Sequence, residues 1–183
     1  MISDMKKCGL VSLLGEPNVG KSTLVNKITG TKVSIVTHKA QTTRTRIRGI
    51  RIIEDTQIIL VDTPGVFAPK RRLDRAMVSA AWGGFTEADI ILFMLDVSRG
   101  LTDGSRSILK SVGDKQYEKC PVILLLNKID KIKRNDLLNL SKTLNVLFDF
   151  SATFMISAEK GSGTEDLIKW LANKLPFSPW LYP

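Results

Sequence analysis

A chain of 183 residues, 43% hydrophobic and 25% charged, can bury one sizeable core, and this balance excludes a disordered or fibrous protein. Its net charge of +9, from 27 basic and 18 acidic residues, suits a phosphate-bearing partner such as a nucleotide, an RNA or an anionic membrane, and equally suits a basic surface that only keeps the chain soluble. Cys8 and Cys120 have no CxxC partner and no histidine cluster, which reads as free thiols of a reducing compartment; no apolar run is long enough to span a bilayer, and no signal segment is expected.

Short apolar runs alternate with stretches of helical period, the pattern of βαβ units around a mostly parallel sheet. The first strand is expected at 7–14. Directly after it stands Gly15-Glu16-Pro17-Asn18-Val19-Gly20-Lys21-Ser22, a GxxxxGKS loop that leads into a helix over 21–29. Glycines let the loop's backbone N–H groups approach phosphates. The helix start, through Ser22 and Thr23, adds unpaired donors and the positive end of its dipole, and Lys21 places a charge at the β and γ oxygens. Ser22 offers its hydroxyl to Mg²⁺. The loop receives the phosphates of any nucleotide, so it does not separate a GTPase from an ATPase or a kinase.

The segment Lys39-Ala40-Gln41-Thr42-Thr43-Arg44-Thr45-Arg46 is polar and basic and lacks periodicity at its start. A hydroxyl from it can complete Mg²⁺ coordination in the triphosphate state and let go after hydrolysis, with Thr43 favoured and Thr42 its rival; taken alone the segment reads as a solvated connector. His38 reads as solvated rather than catalytic, because phosphoryl transfer needs positioning more than a base. Strands follow at 46–54 and 56–62, too close for a crossover, so this pair is an antiparallel hairpin and the six-stranded sheet carries one antiparallel strand. The third strand closes on Asp62-Thr63-Pro64-Gly65: a carboxylate for the Mg²⁺ shell at the carboxyl edge of the sheet, then a glycine whose N–H can come close to a γ-phosphate. In the helix expected over 74–86, Trp82 and Phe85 lie three apart as core residues do, and Arg71, Arg72 and Arg75 read best as a solvated face.

Further strands are expected at 89–96, 122–127 and 153–157, and helices at 102–112, 134–147 and 163–175. The fifth strand ends in Asn127-Lys128-Ile129-Asp130. A carboxylate at Asp130 accepts from both N1–H and the exocyclic amine of guanine, whereas adenine leaves it unpaired. The Asn127 amide can bond the ring's other edge and the Lys128 stem can lie over the base. The sixth strand ends in Ser157-Ala158-Glu159-Lys160-Gly161, where the Ala158 N–H can meet the guanine O6. After Lys174 the chain reads LPFSPWLYP, whose three prolines end helical structure and resemble the start of a linker.

In this order the motifs resemble the translation-factor-related branch of P-loop GTPases and, within it, the Era family of bacterial ribosome-assembly GTPases. The resemblance is carried by GEPNVGKSTLVNKITGTKVSIVT at 15–37, QTTRTRIRGI at 41–50, DTPGVFAPKRRLDRAM at 62–77, NKID at 127–130 and SAEKGSGTEDL at 157–167, and it covers nearly the whole chain. It implies an α/β small G-protein fold, a slow Mg²⁺-dependent conversion of GTP to GDP, and action on the small ribosomal subunit near the 3′ end of 16S rRNA. It implies a GTPase domain over 1–174, with 175–183 opening a linker to a KH domain that this sequence does not contain. It implies a cytoplasmic, monomeric protein able to associate peripherally with the inner membrane. Where Ras-like enzymes carry a water-orienting Gln, this chain has Val66, a replacement that the Era family shares. Resemblance to related bacterial GTPases implies that Asn18 helps hold K⁺, which supplies the charge of an arginine finger; a side chain that only shapes the loop is the plainer account of Asn18. Three rivals remain open: an ATP-using P-loop protein, a nucleotide-sensing module that does not hydrolyse, and an RNA-binding domain in its own right.

Overall fold

The computed structural model describes residues 5–30, 46–62, 88–114 and 120–183, with Arg46 and Asp62 described by their backbone. Within them lie the strands β1 (Lys7–Leu14), β2 (Arg46–Ile53), β3 (Thr56–Asp62), β4 (Ile90–Asp96), β5 (Val122–Asn127) and β6 (Ala152–Ile156). The helices are α1 (Lys21–Thr29), α2 (Asp103–Asp114), α3 (Arg134–Leu147) and α4 (Thr164–Lys174), with a 3₁₀ turn at Ile129–Lys131. Each strand and helix expected within these residues is present, with ends displaced by at most two positions. The helix expected over 74–86 lies outside the described residues.

The strands form one sheet in the order β2-β3-β1-β4-β5-β6, parallel throughout except for the antiparallel β2–β3 pair, as expected. Ile53 faces Thr56 in that hairpin, so only Glu54 and Asp55 turn the chain, and Glu54 takes a left-handed φ of 51° to do so. The central strands are covered on both faces, which is why β4 (IILFMLD) and β5 (VILLLN) are apolar almost without interruption and buried at every position.

Strand alternation divides the core in two. Leu13, Leu92, Met94, Ile123 and Leu125 face Leu24, Val25 and Ile28 of α1 and Leu167, Ile168 and Leu171 of α4. On the opposite face Ile91, Phe93, Leu95, Leu124 and Leu126 meet Ile108, Leu109 and Val112 of α2 and Leu137 and Leu144 of α3, and Phe93 stacks on Phe150 at 6.4 Å. Each such side chain contributes about 1.5–3 kcal/mol by leaving water, so the sheet is held on both sides as a rigid floor.

That floor positions the loops. Leu13 pairs with Asp62, Leu14 with Phe93, Asp96 with Asn127 and Asn127 with Ile156, so the carboxyl ends of β1, β3, β4, β5 and β6 lie together along one edge. Residues 175–183 do not run clear of the body. Phe177 bridges to Lys7, Trp180 and Tyr182 pack against Cys8, Ile59 and Val61, and the fully buried Gln57 accepts from the N–H groups of Leu181 and Tyr182 while donating to the Tyr182 carbonyl. Among the described residues no helix is long and apolar enough to cross a membrane.

Candidate functional site

The loop at 15–22 lies between β1 and α1, and its conformation is written in its residues. Asn18 adopts a left-handed φ of 65° and Gly20 a φ of 107°, and a Cβ on Gly20 would strike the Asn127 amide nitrogen, so that position accepts glycine alone. The Lys21 ammonium folds back over the loop and donates to the carbonyls of Gly15 at 2.7 Å and Glu16 at 2.8 Å, which holds its charge at the centre of the curve. Ser22 and Thr23 follow, exposed in the first turn of α1, a turn that has no acidic residue and no side-chain cap. A helix start without an acidic residue suits an anion.

Asn127 joins this loop to the one after β6. It is only 2% exposed; its Nδ2 donates to the Val19 carbonyl at 2.8 Å and its Oδ1 accepts the Ala158 N–H at 2.9 Å. The sequence reading placed the Asn127 amide at the ring edge and the Ala158 N–H at the guanine O6; in the structure Asn127 also holds the Val19 carbonyl through Nδ2 and the Ala158 N–H through Oδ1. A buried amide bonds the groups in reach, and at this depth those are protein groups.

Lys128 takes a left-handed φ of 67° and sends its ammonium the same way, to the Asn18 carbonyl at 2.9 Å and to Asp96 Oδ2 at 2.7 Å. Burial opposes ionisation of Asp96, but hydrogen bonds from Lys128 and from the Ser98 hydroxyl and N–H outweigh it, and its carboxyl is held below the usual carboxylate range. Sequence reasoning passed over Asp96. The signal was there: an acid ending a buried apolar run at the carboxyl edge, followed two residues on by a serine that closes an Asx turn.

Asp130 sits on the 3₁₀ turn, with its side chain 21% exposed. Its carboxyl is held below the usual range, first by a hydrogen bond from Ser157 and further by Lys160, whose Nζ lies 3.7 Å away, with Lys131 near it. Ser157, Ala158 and Glu159 follow β6 beside Asp130, with Gly161 N–H donating to the Ser157 carbonyl at 2.7 Å. The structure thus brings together residues 15–23, 127, 128, 130 and 157–159, and places the backbone of Asp62 at the end of β3 beside Leu13. His38, Thr42, Thr43, Thr63, Pro64, Gly65 and Val66 lie outside the described residues, as do Arg71, Arg72 and Arg75.

A family model described as 50S ribosome-binding GTPase matches residues 10–128, the span from β1 through the Asn127-Lys128 pair. The chain belongs to this GTPase family. Among its relatives, the GTPase Era of Dinoroseobacter shibae is 55% identical over 97% of the chain, and that of Brucella suis is 54% identical over 97%. A crystal structure of Era in complex with MgGDPNP and nucleotides 1506–1542 of 16S ribosomal RNA superposes with a TM-score of 0.80 at 39% identity over 97% of the chain. A variant of Aquifex aeolicus Era bound to GDP and AlF₄⁻ gives 0.79 at 40%. The family resemblance and the P-loop fold are thereby borne out. The chain spans 58% and 56% of the two relatives' lengths and 60% of each structure.

Ser22 at the start of α1 and Asp62 at the end of β3 are oxygen-donor residues, the kind that a hard cation such as Mg²⁺ takes.

Proposed function

We propose that the chain is the GTP-binding and GTP-hydrolysing domain of a molecular switch in small-subunit maturation, with 16S rRNA bound by a KH domain elsewhere in the longer protein. One observation carries the reading: Asn127 and Lys128, adjacent residues, tie the phosphate loop at Val19 and Asn18 to the end of the sheet that carries Asp130. A guanine seated at Asp130 has its phosphates delivered to Lys21. Residues 1–174 are the GTPase domain, and 175–183 begin the link to the next one.

Lys21 holds its charge at the β and γ oxygens, and the N–H groups from Gly15 to Thr23 receive the remaining phosphate charge. Asp130 accepts the guanine N1–H and exocyclic amine, and the Lys128 stem lies along the base. Asn127 and Ala158 hold the wall that Ser157 and Glu159 complete. The Gly65 N–H is assigned to the γ-phosphate, and Thr63 and Pro64 to nucleotide contact. Bound Mg²⁺, held by Ser22, Asp62 and Thr43, neutralises charge on the transferring phosphoryl group. Asn18 would help hold K⁺, which would supply a further positive charge; equal turnover in K⁺ and Na⁺ refutes that part. The protein acts in the cytoplasm as a monomer, with peripheral contact to the inner membrane.

The test is base exchange. Asp130→Asn is expected to move preference from GTP toward xanthosine triphosphate by about tenfold or more in competition, because the amide can donate to the C2 oxygen; an unchanged GTP preference overturns the base assignment. Single-turnover phosphate release with Mg²⁺ and K⁺ separates hydrolysis from the rival favoured by Val66, a sensing module that binds without turnover.

A further inference from the structure

We propose that Thr102, at the start of α2, is a positioning residue for the phosphate loop. It holds the Glu16 carboxylate away from the nucleotide and so fixes the carbonyl on which the Lys21 ammonium rests. The inference builds on the reading of this site as a GTP site. Glu16 is an oddity there: an acidic side chain inside a loop that receives a triphosphate, where like charges repel. Its carboxylate is turned outward. Thr102 Oγ1 donates to Glu16 Oε2 at 2.6 Å, and the carboxylate is seated against Gly104, where an added Cβ would collide with Glu16 Oε1. This is the first turn of α2, whose positive end favours an anion.

Thr102 is itself held in place. Its N–H donates to Ser105 Oγ at 2.9 Å, the Ser105 N–H donates back to Thr102 Oγ1 at 3.1 Å, and the Ser105 hydroxyl, 2% exposed, donates to the Thr102 carbonyl at 2.9 Å. With Ser105 satisfied in this way, the single Thr102 hydroxyl proton goes to Glu16. At its other end Glu16 offers its backbone carbonyl to Lys21 Nζ at 2.8 Å. One residue therefore links the helix cap to the phosphate-binding ammonium.

A double-mutant cycle read by a fluorescent GTP analogue tests this. Thr102→Val is expected to raise the dissociation constant about five- to tenfold, more for the triphosphate than for the GDP analogue, because a freed carboxylate opposes the larger charge. Thr102→Ser, which keeps the hydroxyl, is expected to stay within about twofold of wild type. In a Glu16→Ala background the Thr102→Val effect is expected to shrink to about twofold or less, although the melting temperature falls in both backgrounds through loss of the helix cap. Wild-type affinity in Thr102→Val, or an equal loss in both backgrounds, overturns the proposal. A wild-type chain that does not bind the analogue overturns the GTP reading and this inference with it.

Discussion

Replacing Asn127 with Ala separates its role as a clamp from that of a base reader. The substitution leaves two buried groups without partners, the Val19 carbonyl and the Ala158 N–H, in residues 2% and 1% exposed. Each orphan costs about 1–3 kcal/mol, so the pair costs about 4 kcal/mol, a large share of the roughly 5–15 kcal/mol that holds a domain folded. For a chain of this size that is a fall in Tm of about 8–16 °C. The assay is urea unfolding of protein stripped of nucleotide, where a base contact contributes nothing. Asp130→Ala, which removes a partly exposed carboxylate, is expected to stay within about 1 kcal/mol of wild type under the same conditions. If Asn127→Ala unfolds like wild type without nucleotide and loses only GDP affinity, Asn127 reads the base and the clamp is wrong.

Asp96 predicts a pH dependence. Its folded carboxyl titrates below the unfolded value of about 3.9, so its stabilisation is complete above that value and drains away as pH falls through the lower folded one. Asp96→Asn should therefore cost about 2 kcal/mol near pH 7, and the gap to wild type should close in urea titrations below about pH 4; a gap independent of pH refutes the ion pair. Trp180→Ala should cost about 1–2 kcal/mol and speed iodoacetamide labelling of Cys8, whose thiol is pushed up chiefly by burial; an unchanged labelling rate means that the ring does not shield it. Cys120, pushed up to about 11 by burial, should label slowly at pH 8 in both proteins, as mass spectrometry after timed quenching will show.

Strands buried on both faces announced themselves, because runs such as IILFMLD and VILLLN are too short to span a bilayer as helices and too apolar to face water. The hairpin followed from connection length alone. Helix ends were less legible: α2 runs through Gly113 to Asp114, since packing of Ile108, Leu109 and Val112 outweighs glycine's weak propensity. The 3₁₀ turn at Ile129–Lys131 is too short to carry a period. In the site, sequence gave residue types but not partners. Nothing local in NKID says that Asn127 reaches Val19, 108 residues away, or that Lys128 finds Asp96. The prolines of 175–183 resemble the start of a linker, and nothing in them announces that Trp180 and Tyr182 meet partners on β1 and β3 that only the folded sheet assembles.

Asn127 and Lys128 are neighbours at one strand end and both grip the turn at Asn18 and Val19, so on the proposed GTP reading the recognition of the ring and of the phosphates shares one gauge with two jaws. A base that sits badly against Asp130 tilts its own phosphates out of line with Lys21. Discrimination is then felt at the reacting end of the nucleotide as well as at the ring, and neither jaw can be recut by substitution without resetting the other.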